Sequence, residues 1–271
     1  MFARVITGLA PLMTEPARNC EQADEALFGM RVEVLEEKGP WVRVRTHYRY
    51  EGWAEKDRLF PEGEGTRDFD AAEKRVLGKR CADLMHEPLV ESYPLVSVPR
   101  GALLGVTGRT SDRGWAEVLL PDGRRAWTRA NYLQPHVTSA EGKSEETLRR
   151  ELVRAALPYL GTPYRWGGKS TLGIDCSGLC SMAYMLCGVL IYRDAKIMPG
   201  FPVHSIPFSQ VKMGDLLFFP GHVGMYIRDG LFLHSTSHEG DEGVVLASLT
   251  PGHPRYREDL RKSMKDCGSI F

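Results

Sequence analysis

Trp41-Val42-Arg43-Val44-Arg45 alternates apolar and charged side chains, the period of a β-strand with one buried face. Trp115-Ala116-Glu117-Val118-Leu119 repeats the pattern 74 residues later. Trp53 and Trp127 are again 74 apart, as are Leu59 and Leu133. Leu12-Met13-Thr14-Glu15-Pro16 returns as Leu84-Met85-His86-Glu87-Pro88 at an offset of 72, and Leu27-Phe28-Gly29 pairs with Leu103-Leu104-Gly105 at 76. Such drift is what loop insertions produce, so the first half of the chain reads as a duplicated module of about 60 residues. Each copy has short strands separated by turn residues, such as Pro121-Asp122-Gly123. About five strands in that length predict a small closed barrel. The charged stretch PEGEGTRDFDAAEK reads as a linker between the copies, and HVTSAEGKSEE as a second linker after them.

The pattern then changes to a helical period. Ser144 predicts an N-cap, with Leu148, Leu152, Ala155, Ala156 and Tyr159 on one face. Pro158 and Gly161 end that helix. A second helix is predicted from Ser177 to Cys187, with Leu179, Ala183, Leu186 and Cys187 apolar and Gly188 as its stop. Leu216 to Phe219 reads as a buried strand, Pro220-Gly221 as a turn, and His222 to Ile227 as the next strand.

These elements place candidate chemistry. Cys176 falls in the first turn of the second helix, where unpaired N–H groups and the dipole favour a thiolate. Asp175 can accept N–H bonds at the helix entrance. Cys180 and Cys187 lie within the helix and read as core. A thiolate nucleophile needs a base. In the strand from His222, the side chains of Val223, Met225 and Ile227 share one face, and those of His222, Gly224 and Tyr226 the other. Arg228-Asp229-Gly230 is read as a three-residue hairpin loop, which pairs Ile227 with Leu231 and sets Gly224 opposite His234. His222 and His234 are then same-face diagonal neighbours, roughly 7–8 Å apart. A two-residue loop would put them on opposite faces. The pattern nominates Cys176 as nucleophile, His222 as general base and His234 as the group that orients His222. From the pattern alone, His234 is equally open to being a surface or strand-edge polar residue.

Composition narrows the partners. Lysine plus arginine equals aspartate plus glutamate, 35 each, which gives no reason to expect nucleic acid or an anionic membrane as the main partner. No apolar run approaches the roughly 18 residues of a spanning helix, so no membrane insertion is expected. MFARVITGLAPLM, broken by Gly8 and Pro11, reads as a first strand rather than a signal peptide. The expected setting is the cytoplasm, or the cell envelope if the chain has been trimmed. Six cysteines without a CxxC pair do not make a disulfide framework, and no zinc pattern is present. No metal or organic cofactor is expected. Oligomeric state is left open.

The third segment resembles the NlpC-type family of papain-like cysteine peptidases, which cut bacterial cell-wall peptides. The resemblance rests on Gly161-Thr162-Pro163-Tyr164-Arg165-Trp166-Gly167-Gly168, Asp175-Cys176-Ser177-Gly178-Leu179, Gly214-Asp215-Leu216-Leu217-Phe218-Phe219 and Gly221-His222-Val223-Gly224-Met225-Tyr226-Ile227. The duplicated module resembles bacterial SH3 domains through Gly39-Pro40-Trp41-Val42-Arg43-Val44 and Gly52-Trp53. The second copy, with Arg113-Gly114-Trp115 and Ala126-Trp127, fits less closely. The implied fold is α+β. Two small SH3-like barrels, residues 1–62 and 78–136, precede a papain-like catalytic domain, residues 143–271, with a helix-borne cysteine packed on an antiparallel sheet.

The resemblance places the family's Cys-His-polar triad on Cys176, His222 and His234. The layout as a whole resembles the γ-D-glutamyl-L-diamino acid endopeptidases of that family. These cut between D-glutamate and the diamino acid of a stem peptide with a free N-terminal L-alanine. In that subgroup Tyr164, Trp166, Asp175 and Ser177 would line the pocket, and Arg193 would help to shape it. Ala195 stands where some relatives carry serine. The first barrel would supply an acid and a tyrosine for the substrate amine, which fall on Glu21 and Tyr50, with Glu25 a rival for the acid. The implied partner is a peptidoglycan-derived peptide with a free amine, and the implied role is cell-wall peptide recycling. Two other readings are a cell-wall binding protein with an inactive domain, and a papain-like amidase or acyltransferase on another substrate.

Overall fold

The structure, a computed structural model, describes residues 1–271. It divides into two compact units, 1–136 and 137–271.

The first unit holds two barrels. The first barrel comprises β1 (Phe2–Val5), β2 (Leu9–Met13), β3 (Gln22–Leu27), β4 (Arg31–Lys38), β5 (Trp41–Thr46), β6 (Glu51–Glu55) and β7 (Leu59–Pro61). Its strand order is β3-β2-β6-β5-β4-β1-β7. The second comprises β8 (Glu73–Leu77), β9 (Cys81–Met85), β10 (Pro94–Pro99), β11 (Leu103–Thr110), β12 (Trp115–Leu119), β13 (Arg125–Arg129) and β14 (Leu133–Pro135). Its order, β10-β9-β13-β12-β11-β8-β14, is the same topology. Each copy has seven strands rather than about five; a strand of three residues such as Leu59–Pro61 is too short to show alternation.

The element bounds correct one repeat correspondence. Strands are offset by 72 up to β4 and β11, and by 74 from β5 and β12 onwards. The step comes from the following hairpin loop, Gly39-Pro40 in the first copy and the longer 111–114 in the second. Leu103-Leu104-Gly105 lies inside β11, so the counterpart of Gly29 is Gly101. Both turn with positive φ, 77° and 88°. The charged stretch between the copies is also more than a linker. It forms a short helix, α1 (Arg67–Ala71), which buries Phe69 and bonds Asp70 to Arg4 at 2.7 Å.

The two barrels share a core. Phe28 of the first packs among Leu77, Leu84 and Leu104 of the second, and the Leu103 N–H donates to its carbonyl at 2.9 Å. A Cβ on Gly29 would stand 2.2 Å from the Leu103 oxygen, so a side chain is excluded there by contact as well as by φ.

The second unit is built from α2 (Glu145–Ala156), the two-residue strands β15 (Lys169–Ser170) and β16 (Gly173–Ile174), and α3 (Cys176–Leu186). There follow β17 (His204–Ile206), β18 (Leu216–Phe219), β19 (His222–Arg228), β20 (Leu231–Thr236), β21 (Gly243–Ser248), α4 (Glu258–Ser263) and β22 (Asp266–Ser269). The sheet order is β17-β22-β18-β19-β20-β21. Ser144 caps α2 as expected, accepting from the Thr147 N–H at 3.3 Å. Leu217, Phe219, Phe232, Ala247 and Leu260 form a core on one side of the sheet. On the other side α3 packs on β19 and β20. Asp215, just before β18, is wholly buried and pairs with Arg149 of α2 at 2.9 Å, so this acid of the Gly-Asp-Leu-Leu stretch is a structural anchor. No helix is long and apolar enough to cross a membrane.

Candidate active site

Cys176 is the first residue of α3. Asp175 is its N-cap and accepts from the Gly178 N–H at 2.6 Å. That carboxylate is also gripped by Arg193, at 3.0 Å to one oxygen and 2.8 Å to the other. The same guanidinium donates to Ser177 Oγ at 2.8 Å and to the Gly168 carbonyl at 3.3 Å. A buried fork thus ties the glycine-rich loop, the N-cap and the residue after Cys176 into one network. Tyr164 lies within reach of its charges. Burial raises the phenol to about 12, with Cys176 and Asp175 adding to the effect. Trp166 stands 59% exposed, as a rim residue would.

The hairpin carrying the two histidines reaches the expected register by another route. Its loop has two residues, since Arg228 pairs with Leu231. Asp229 (φ 51°) and Gly230 (φ 79°) both turn left-handed, as a tight hairpin loop requires. A bulge between Tyr226 and Arg228 then restores the lost residue, so that Met225 faces Leu233. The loop reading was wrong by one residue, and the bulge cancels the error. His222 Nε2 lies 2.8 Å from His234 Nδ1. Gly224 makes this possible, because a Cβ there would meet Phe232 at 2.7 Å and His234 at 3.2 Å.

The His222–His234 bond engages Nε2 of His222 and leaves its Nδ1 outside that bond. The sulfur lies against the β19 backbone, where the N–H of Val223, next to His222, stabilises its charged form. Ser235 Oγ donates to the Ile174 carbonyl at 2.7 Å and so pins β20 to the segment entering α3. Sequence reasoning missed this tie, because a serine beside a histidine carries no periodic signal. His234 is 0% exposed, and its Nε2 has no hydrogen-bond partner. For His222 Nδ1 to accept a proton, His222 donates from Nε2 to His234 Nδ1. His234 then carries its own proton on Nε2, in a ring whose centroid lies 4.8 Å from that of Phe232.

The resting charge state differs from the sequence expectation. Burial pushes the Cys176 thiol up to about 11, and Asp175 adds to the rise. Burial lowers His222 to about 4, with Arg257 adding to the effect, and lowers His234 to about 3. Cys176 is only 6% exposed, and loss of water outweighs the helix start. Both groups therefore rest neutral, Cys176 as a thiol and His222 as an imidazole. Because only the thiolate is alkylated, the rate of Cys176 labelling by iodoacetamide is expected to rise about tenfold per pH unit from roughly pH 6 to 9. Mass-spectrometric mapping of that site would give a flat profile if the pair rested as ions. The base is lost on protonation, so the acid limb of kcat/KM is expected near pH 4, where His222 titrates.

In the first unit, Glu21 is exposed just before β3, and Tyr50 is half-buried just before β6. Glu25 is wholly buried in β3, with Gln22 Nε2 at 3.5 Å. Asp24, also wholly buried, accepts from the Tyr48 hydroxyl at 2.5 Å. Sequence reasoning passed over Asp24 and Tyr48. Adjacent buried acids in one strand break the alternation it relied on.

A thiol at a helix start, set against a sheet that carries its histidine pair, defines a papain-like cysteine hydrolase. Residues 161–255 match the NlpC/P60 family, and residues 12–59 match the bacterial dipeptidyl-peptidase SH3 domain. The chain is 42% identical to dipeptidyl-peptidase 6 of Lysinibacillus sphaericus, over 100% of both sequences. It is 30% identical to γ-D-glutamyl-L-lysine dipeptidyl-peptidase of Bacillus subtilis, over 87% of this chain and 78% of the relative. The crystal structure of an NlpC/P60 family protein from Bacillus cereus shares the fold, with a TM-score of 0.80 at 24% identity over 98% of each chain. The chain belongs to the NlpC/P60 family, and it is a cysteine peptidase.

Proposed function

We propose that this peptidase hydrolyses the γ-D-glutamyl–diamino acid bond of free stem peptides, releasing L-Ala-D-Glu. The observation that carries the reading is the full-length match to dipeptidyl-peptidase 6, which spans the first barrel as well as the site-bearing unit. Relatives named for γ-D-glutamyl-L-lysine dipeptidyl-peptidase activity support the bond. They disfavour a binding protein with an inactive domain.

In this reading the Cys176 sulfur attacks the γ-glutamyl carbonyl as its proton passes to His222. A backbone N–H at the start of α3, that of Cys176, helps to hold the oxyanion. The C–N bond breaks as His222 returns its proton to the leaving amine. His222 then takes a proton from water, which opens the thioester, and the thiol is restored. His234 holds the imidazole in its working orientation.

The free N-terminal ammonium of the substrate would be read by a carboxylate of the first barrel with Tyr50. Glu25 suits this better than Glu21, since a buried carboxylate gains more from a cation. A blocked amine would offer that acid no cation to pair with. Selectivity for free peptide suits a recycling role inside the cell. The test is L-Ala-γ-D-Glu-diaminopimelate, with products identified by mass spectrometry in the wild type and in Glu21→Gln, Glu25→Gln and Tyr50→Phe. The expected products are L-Ala-D-Glu and free diaminopimelate, with Glu25→Gln raising KM at least about tenfold. Cleavage between L-Ala and D-Glu would overturn the assigned bond. Unaltered KM in all three variants would remove the amine contact from the first barrel.

A further inference from the structure

Cys176 and the histidine pair stand on different elements. Cys176 opens α3, whereas His222 and His234 belong to β19 and β20. α3 packs on both strands. Leu179, Met182 and Ala183 of the helix are buried, as are Val223, Met225 and Leu233 of the hairpin. Apolar burial of this kind is non-directional. It holds the helix on the sheet and leaves its exact placement to directional polar ties.

Ser235 supplies such a tie. It follows His234 in β20, so its side chain points to the opposite face of the sheet, the face on which α3 packs. Ser235 is wholly buried, and its hydroxyl donates to the Ile174 carbonyl at 2.7 Å. Ile174 directly precedes the N-cap Asp175 and stands two residues before Cys176. Adjacent residues of β20 thus make two contacts: His234 with His222 at 2.8 Å, and Ser235 with the entrance of the nucleophile helix.

The same entrance is held from a second side. The Ile174 N–H donates to the Pro163 carbonyl at 3.0 Å. Residues 161–164 are in turn stitched to β21, with the Gly161 N–H on the Val244 carbonyl and the Val244 N–H on the Thr162 carbonyl, both at 2.9 Å. Those bonds fix the segment to the sheet edge; the Ser235 bond fixes it to the histidine strand itself. The Ile174 carbonyl also accepts from the Arg165 N–H at 3.3 Å. It therefore keeps a partner when the serine hydroxyl is removed, so that loss affects alignment more than folding.

We infer that Ser235 is a positioning residue for the reaction, setting Cys176 against His222 through its bond to the Ile174 carbonyl. The inference rests on the reading of Cys176 as nucleophile and His222 as base.

The test is the burst of p-nitrophenolate as p-nitrophenyl acetate acylates Cys176. The acetyl group passes to the sulfur, the phenolate leaves, and the thiol proton passes to His222. This ester carries no γ-D-glutamyl group, so its reaction is independent of the substrate reading. Wild type, Ser235→Ala, Ser235→Thr and His222→Ala are compared below their melting temperatures, with Cys176→Ala giving the background from the other thiols. Ser235→Ala is expected to acylate about tenfold more slowly, part of the roughly hundredfold that a 1 Å misplacement costs. Ser235→Thr, which keeps the hydroxyl, should recover most of the rate. On a cleaved peptide Ser235→Ala should lose kcat and keep KM, a split that a merely structural serine would not produce. An acylation rate in Ser235→Ala within about twofold of wild type, with His222→Ala slow, would overturn this inference alone. A Ser235→Thr variant that folds normally and is as slow as Ser235→Ala would also overturn it, by moving the effect from the hydroxyl to packing. If His222→Ala acylates as fast as wild type, the base assignment fails, and this inference with it.

Discussion

Cys176→Ala is expected to lower kcat/KM on a γ-D-glutamyl peptide by at least about 10⁴-fold, because the proposed mechanism forms its acyl intermediate on that sulfur. His222→Ala should fall nearly as far. The double variant should fall little further, since nucleophile and base act as one unit. The fold should survive, because Cys176 is a small side chain whose backbone is held by the Asp175 cap rather than by its sulfur. Steady-state kinetics with a melting curve for each variant checks this. Residual turnover within a hundredfold of wild type in Cys176→Ala would remove the cysteine from the chemistry.

The second large effect concerns stability. Arg193→Met removes the partner of a carboxylate that is only 7% exposed. Breaking a buried pair from one side costs about 3–5 kcal/mol, which for a unit of this size lowers its melting temperature by about 10–18 °C. Arg193→Lys should rescue little, because one ammonium cannot span both Asp175 oxygens and Ser177. Adding Asp175→Asn to Arg193→Met should recover part of the loss by removing the stranded charge. Calorimetry reads all three. An unchanged melting temperature in Arg193→Met would mean that the fork contributes nothing to the fold.

Much of the site was legible because local rules act on short stretches. A glycine-rich loop, an N-cap aspartate and an apolar helical run place Cys176 at a helix start from sequence alone. A strand with Gly224 between histidine and tyrosine announces a packed neighbour. The hairpin loop was misjudged, since nothing in Tyr226-Ile227-Arg228 signals a bulge. The thiol's charge state was misjudged because burial depends on residues far away in sequence. The Arg193–Asp175 fork, 18 residues apart, passes through a loop with no period to follow. Within the repeat, Gly29 was paired with Gly105 on residue identity, whereas backbone conformation pairs it with Gly101. The choice between Glu21 and Glu25 is likewise one of burial, which a turn-to-strand boundary does not reveal.

The most direct measurement incubates wild type and Cys176→Ala with L-Ala-γ-D-Glu-diaminopimelate and with the same peptide acetylated at its N-terminus, reading the products by mass spectrometry. The account predicts L-Ala-D-Glu from the free peptide alone, and none from the variant. Equal cleavage of both peptides would contradict the amine selectivity, and cleavage of the free peptide by Cys176→Ala would contradict the nucleophile.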